Sequence, residues 1–189
     1  MIKELVLKNR SYRRFYGDKK VSMATLRDLV ELARLSSFGG NKQSLKFYLS
    51  DGDMNGPVYD CLGWAAYLPD WDGPAPDERP AAYIVMLNDN NIMSGADVNA
   101  GIAAANMLLG AAEAGLGGCM FGNVDRKKLA GLLKLPENLE IVLVIALGVP
   151  KEEVVIEPIG PDGDVRYWRD GNRVHHVPKR ALEEIIYIL

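Results

Sequence analysis

The chain has 189 residues, 48% hydrophobic and 25% charged, with 22 basic and 25 acidic side chains and a formal net charge of −3. That composition fits one soluble globular domain, residues 1–189, able to bury about 70% of its unfolded surface without a disulfide or metal staple. The acidic balance excludes a general nucleic-acid binder, and the longest apolar run, residues 100–112, is too short for a bilayer and holds Asn106 and two glycines.

No secretory leader is visible in "MIKELVLKNR", and Cys61 and Cys119 have no CxxC spacing, so a reducing, cytoplasmic setting is expected. The next stretch, "NRSYRRF", places Arg10, Arg13 and Arg14 within five positions. In a helix they share one face; in an extended segment Arg10 and Arg14 share a face and Arg13 opposes them. Both a solvated basic face and a phosphate site are open on these residues alone.

"SMATLRDLVELARLSS" predicts a helix opened by Ser22, with Leu26, Leu29, Val30 and Ala33 on one face. "GGNKQS" ends it. Asn41 and Gln43 there each carry a donor and an acceptor, suited to reading a heteroaromatic edge, although a plain helix-ending turn reads equally from the residues. "LKFYLS" predicts a strand, and "PVYDCLGWAAYL" a helix beginning at Pro57. "PDWDGPAPDERP" is an irregular loop.

"AAYIVMLN" predicts a central strand, and residues 97–114 a helix that is apolar nearly all round and so buried on both faces. "GLGG" stops it at 115–118. A short strand "CMF" and a helix "RKKLAGLLK" capped by Asp125 follow, then the strong strand "EIVLVIALGVP". Residues 165–178 read as a hairpin around Asp170-Gly171, and Pro178 as the start of a C-terminal helix "PKRALEEIIYIL". Lys179 and Arg180 at such a helix start would oppose the helix dipole unless an anion sat there. The mixture predicts a three-layer α+β fold.

Walker A, dinucleotide, HExxH and GxSxG patterns are all missing. His175 and His176, adjacent in a strand, point to opposite faces and do not share a metal. With no side-chain nucleophile in sight and no metal expected, a bound cofactor is the natural carrier of any hard chemistry.

Taken in order, "NRSYRRF", "ARLSSFGGNKQSLKF", "DVNAGIAAANMLLGAAEAGLGGCMFGNVD" and "VLVIALGVPKE" resemble the FMN-dependent nitroreductase family over essentially the whole chain. The resemblance implies an α+β, three-layer fold with a central, mainly antiparallel sheet flanked by helices, in an obligate homodimer with FMN at the interface. It implies that Arg10, Ser11 and Arg13 bind the flavin phosphate and ring edge, with Lys179 and Arg180 assisting. Asn41 and Gln43 would lie beside the flavin. Met120, Phe121 and Gly122 would pack along the ring, the Gly122 N–H directed to N5.

The implied activity is an FMN-dependent oxidoreductase working in two half-reactions, from NAD(P)H or another reductant to a small planar acceptor, a nitroaromatic or a quinone, with no catalytic side chain. The alternatives are a non-catalytic flavin- or nucleotide-binding module and a dimeric interaction protein without the flavin. Neither a nucleic acid nor a membrane is an expected partner. Asn9 stands where the family has an arginine, Phe38 where it has a small serine, and Ser44-Leu45 where proline and tryptophan are common. Trp64, Tyr67 and Trp71 are candidates both for covering the flavin and for filling the core.

Overall fold

Alternation along a single strand organises the protein, whose computed structural model describes residues 1–188. The helices are α1 (Ile2–Lys8), α2 (Met23–Arg34), α3 (Asn55–Tyr59), α4 (Asp97–Glu113) and α5 (Arg126–Leu133). Strands β1 (Leu45–Ser50), β2 (Ala82–Asp89), β3 (Gly117–Phe121) and β4 (Leu139–Gly148) form one sheet in the order β1-β2-β4-β3, all neighbours antiparallel. Ala82, Ile84 and Met86 of β2 face a core that includes Leu26 and Leu29 of α2 and Met107 of α4. Tyr83, Val85 and Leu87 face a second core with Val58 of α3 and Leu129 of α5. Both faces of β2 are dry, which is why its sequence is a continuous apolar run rather than an alternating one. The α+β, three-layer arrangement with an antiparallel central sheet follows.

Local chemistry sets the element ends. The Ser22 side chain accepts from the Thr25 N–H at 3.1 Å and opens α2; Asp125 accepts from the Lys128 N–H at 2.9 Å and opens α5. α3 begins two residues before Pro57 and stops at Tyr59, much shorter than the expected helix. Beyond it the chain pairs with the segment leading to α5: Gly63 N donates to Asn123 O and Asp125 N to Cys61 O. α1, to which the sequence reading assigns no helix, carries Ile2, Leu5 and Val6 at helical spacing, but none of its residues is buried.

In α4, Ala100, Ala103, Ala104, Met107, Leu108 and Ala111 face the core. The opposite side carries Val98, Gly101, Ile102 and Ala105, all exposed, Val98 to 77%. Within one chain, then, this nearly all-apolar helix is covered on one side only.

A second sheet, order β5-β7-β6, is built from β5 (Val154–Pro158), β6 (Trp168–Arg169) and β7 (His175–Lys179). β6 and β7 form the hairpin around Asp170-Gly171, pairing Trp168 with His176 and Arg169 with His175. The helix expected from Pro178 is not formed. β7 instead runs through Pro178 to Lys179, parallel to β5, and a single 3-10 turn at Leu182–Glu184 follows. β6 has already ended opposite His175 and His176, so the proline's missing N–H removes no ladder bond on that side. Residue 189 of that expected helix lies outside the described residues. Among the described residues no helix is long and apolar enough to cross a membrane.

Ile84 is fully buried at the centre of the first core. Ile84→Ala should cost about 2–5 kcal/mol in urea unfolding, the range for deleting a buried aliphatic side chain.

Candidate functional site

The segment after α1 is extended and held at both edges by backbone bonds. Tyr12 N donates to Gly118 O at 3.0 Å, Phe15 N to Glu78 O at 2.9 Å and Tyr16 N to Val149 O at 2.9 Å. Between these, the buried Glu152 carboxylate accepts from the Arg13 N–H, and at 3.2 Å from the Arg14 N–H. Its other oxygen accepts from Arg169 Nη2 at 3.0 Å.

This clamp sends neighbouring arginines in different directions. Arg14 is buried and forms a two-pronged ion pair with Glu78, Nε to Oε2 at 2.6 Å and Nη2 to Oε1 at 2.5 Å. Arg10 and Arg13 line one cleft. Neither simple pattern expected from the sequence holds, because the bond of Tyr12 to β3 and the Glu152 clamp set the directions instead of a regular helix or strand repeat.

The cleft has a volume of about 340 Å³. Asn9, Arg10, Ser11 and Arg13 form one wall, Gly118 and Met120 of β3 the floor, Ala105 and Leu108 of α4 another side, and Tyr167, His175, Val177 and Lys179 the rest. Among the described residues no carboxylate lies within 4 Å of the charged nitrogens of Arg10, Arg13 or Lys179. Arg10 Nη2 donates to Val6 O at 2.7 Å, while its buried Nε has no acceptor. Arg13 Nη1 lies 3.3 Å from Ser11 O and 3.2 Å from His175 Nε2, and its guanidinium sits 4.5 Å from the Tyr167 ring centroid. Arg10 and Arg13 are partly buried and Lys179 is exposed; cations without counter-charges form a donor set of the kind that suits an anion.

Three other cavities are larger, one of them only slightly, at about 350 Å³, where Glu157 and Glu184 stand beside Lys179 and Arg180. Two exceed the cleft clearly. One, of about 650 Å³, contains Arg14 and Arg169, but these are already paired with Glu78 and Glu152. The other, of about 450 Å³ between α2 and β1, is mainly apolar, and Gln43 stands at it. Volume therefore does not select the candidate site; unpaired charge does.

The remaining sequence-predicted residues are spread out. Strand alternation turns Gly118 and Met120 to the cleft, and Cys119 and Phe121 to the second core. Phe121 meets the Trp64 ring edge-on at 4.6 Å between centroids. Gly122 is exposed, with no atom within 4 Å of where a Cβ would stand. Arg180 turns away beside Glu184, 3.4 Å from its carboxylate. Asn41 and Gln43 are exposed and do not line the cleft. Both have left-handed φ, 50° and 52°, in a turn anchored by Gly39 N donating to Asn99 Oδ1 on α4. Trp64 fills core, and Trp71 lies under the Arg169 guanidinium at 4.5 Å. Tyr67 is half exposed and packs 4.9 Å from Tyr167 at the cleft wall.

Glu78, Glu152, Tyr167 and His175 were not picked out from sequence. The alternation of His175 and His176 was the available signal: one of them had to point inward. His176 lies on the other face, stacked at 4.0 Å on Trp168, with Nδ1 2.9 Å from Glu157.

The charge states follow from these surroundings. The Arg14 hydrogen bonds hold the Glu78 carboxyl down at about 2, against the opposing effect of burial. Burial first, then the nearby Arg13 and Arg169 charges, pushes His175 down to about 4.

Comparison with known proteins places the fold first. A nitroreductase family protein from Streptococcus pneumoniae TIGR4 superposes with a TM-score of 0.73 over 100% of both chains at 17% identity. An FMN-dependent nitroreductase from Clostridium difficile R20291 gives 0.62 over 78% of this chain and 87% of that one, at 21% identity. In sequence, an Archaeoglobus fulgidus protein named "Putative NADH dehydrogenase/NAD(P)H nitroreductase" is 28% identical over 151 residues, 74% of this chain and 80% of the relative. The sequence model described as Nitroreductase family matches residues 6–149. The chain belongs to the nitroreductase family.

Two predictions come from the charge pattern. Glu78→Ala should destabilise by about 3–5 kcal/mol, because it strands Arg14 in the interior, whereas Arg13→Ala should cost about 1 kcal/mol or less. Urea unfolding of both variants reads this contrast. His175 has a folded pKa below its unfolded value near 6.5, so its titration costs no stability above about pH 6.5 and lowers stability progressively as pH falls toward 4. The Glu78 contribution should fade only between about 4.5 and 2. Stability measured against pH should show the earlier limb, and His175→Gln should flatten it.

Proposed function

We propose that the chain is an FMN-dependent oxidoreductase that takes reducing equivalents from NAD(P)H and passes them to a small planar acceptor, nitroaromatic or quinone-like, in two half-reactions. The observation that carries this is the cleft where Arg10, Arg13 and Lys179 converge without a carboxylate. A phosphate monoester brings about −1.5 to −2 charges and three acceptor oxygens at neutral pH, which fits that donor set. The orphan Nε of Arg10 is one donor such a group could satisfy. FMN, when bound, supplies a ring that can accept a hydride and pass electrons on. The described Clostridium difficile relative is named FMN-dependent.

The chain's own residues have distinct tasks in this reading. Arg10, Ser11, Arg13 and Lys179 bind the phosphate end, with Arg180 on the flank. Met120 presents an apolar surface to the ring, and Gly122 leaves its backbone accessible on the ring side. Phe121 acts from behind, as the core anchor that fixes β3. No side chain serves as a nucleophile; the protein binds, orients and excludes water.

The same reading makes the working unit a homodimer. The exposed stripe of Val98, Ile102 and Ala105 supports this, as do the exposed Ile185, Ile186, Tyr187 and Ile188 at the C-terminal end. Asn99, which anchors the amide turn, and Ala105, which lines the cleft, are six residues apart on α4, about 9 Å. A twofold axis passing near Ile102 would set the turn of one copy against the cleft of the other. Asn41 and Gln43 of a second copy would then complete the site from across the interface. Free, buried Cys61 and Cys119 suit a cytoplasmic setting.

Purified protein should be yellow and should bleach anaerobically with NADH or NADPH; a colourless preparation that takes up no FMN on titration defeats the proposal. Arg10→Ala with Arg13→Ala should weaken FMN binding by about a hundredfold or more. Val98→Asp with Ile102→Asp should yield a monomer by light scattering, with FMN lost alongside.

A further inference from the structure

One buried polar contact in the cleft works against stability, and it bears on Arg13. His175 is 1% exposed, and its Nε2 lies 3.2 Å from Arg13 Nη1. Arginine is protonated at all relevant pH and can only donate, so Nε2 has to be the acceptor. The ring proton is then on Nδ1, and Nδ1 is buried without any hydrogen-bond partner. A buried donor left unsatisfied is destabilising, and an apolar side chain of similar shape would avoid the penalty.

The surroundings explain why the ring stays neutral and still. Arg13, Tyr167, Arg169 and His176 stand around it: Arg169 is its register partner on β6, and Tyr167 packs at 5.1 Å between centroids. The carboxylate that serves both arginines, Glu152, is already engaged by two backbone N–H groups and Arg169. His175 N donates to Glu153 O at 2.9 Å, fixing the backbone beneath the ring. The Tyr167 ring, in turn, backs the flat face of the Arg13 guanidinium at 4.5 Å.

We propose that His175 is a positioning residue: its Nε2 accepts from Arg13 and, with Tyr167 behind the guanidinium, aims Arg13 into the cleft toward the phosphate of the bound cofactor. This rests on the FMN reading above. An uncharged acceptor at this point holds the arginine without neutralising it, so the whole positive charge stays available to the ligand. A carboxylate in the same place would hold Arg13 too, but would compete with the phosphate for it.

The test uses the full-length chain, with FMN affinity followed by flavin fluorescence at pH 7. His175→Phe should bind FMN about tenfold more weakly, the loss expected for one hydrogen bond to a charged group. The thermal midpoint of that variant, measured without FMN, should be no lower than that of the wild type, since the orphan Nδ1 is gone. His175→Gln restores a neutral acceptor and should recover affinity to within about threefold of wild type. The chain has only two histidines, so the imidazole 15N spectrum is readily assigned, and it should show His175 with its proton on Nδ1. Wild-type affinity in His175→Phe, or a His175 proton on Nε2, overturns this role alone. A wild-type chain that takes up no FMN overturns the cofactor reading and this role with it.

Discussion

The buried pair between Arg14 and Glu78 is the interaction on which the site depends. Two of the three clustered arginines are free for a ligand only because the third is committed inward. With bonds of 2.5 and 2.6 Å, both prongs are short and charge-assisted. Such a pair adds little net stability compared with apolar packing, since desolvating two ions offsets much of their attraction. What it contributes is direction. Once Arg14 is pinned to Glu78 and Glu152 takes the backbone N–H groups of Arg13 and Arg14, Arg13 can only emerge on the cleft side. Lys151 reinforces the arrangement at 3.1 Å from Glu78.

The sheet supplies the other half of the geometry. Period-two alternation in β3 gives Gly118 and Met120 to the cleft and Cys119 and Phe121 to the core. Gly118 has to be small: a Cβ there would come within 2.9 Å of Ala146 O on β4 and 2.5 Å of a Leu108 methyl. The floor of the cleft is therefore set by how closely β3, β4 and α4 approach one another. The same α4 presents an uncovered apolar stripe a few residues away, so the core, the cleft and that stripe share one helix.

Much of this was legible in the sequence, for identifiable physical reasons. Long patterned segments were read correctly: the Ser22-capped helix, the continuous apolar run of β2, the Asp125-capped α5 and the Asp170-Gly171 hairpin each carry their own local signal. The mixture of these elements points to the α+β class, while the family rests on the resemblance of four separate segments, beginning with "NRSYRRF" and taken in order. What was not legible depended on distant partners. Nothing near Arg14 announces Glu78, 64 positions away, and nothing near Arg13 announces His175, 162 positions away. Pro178 carried a true signal with two readings, a helix start or the bare side of a strand, and pairing with β5 decided for the strand. Asn41 and Gln43 stand out for their chemistry, yet a single chain leaves them outside the cleft, in a turn with left-handed backbone at both positions.

The central claim is that unpaired arginine charge in this cleft recognises a flavin through its phosphate. The most direct measurement compares the affinity of the purified apoprotein for FMN and for riboflavin, which differ only in that phosphate, at fixed moderate salt. The account predicts that FMN binds at least roughly a hundredfold more tightly, and that raising the salt concentration narrows the gap. Equal affinity for the two flavins would contradict it.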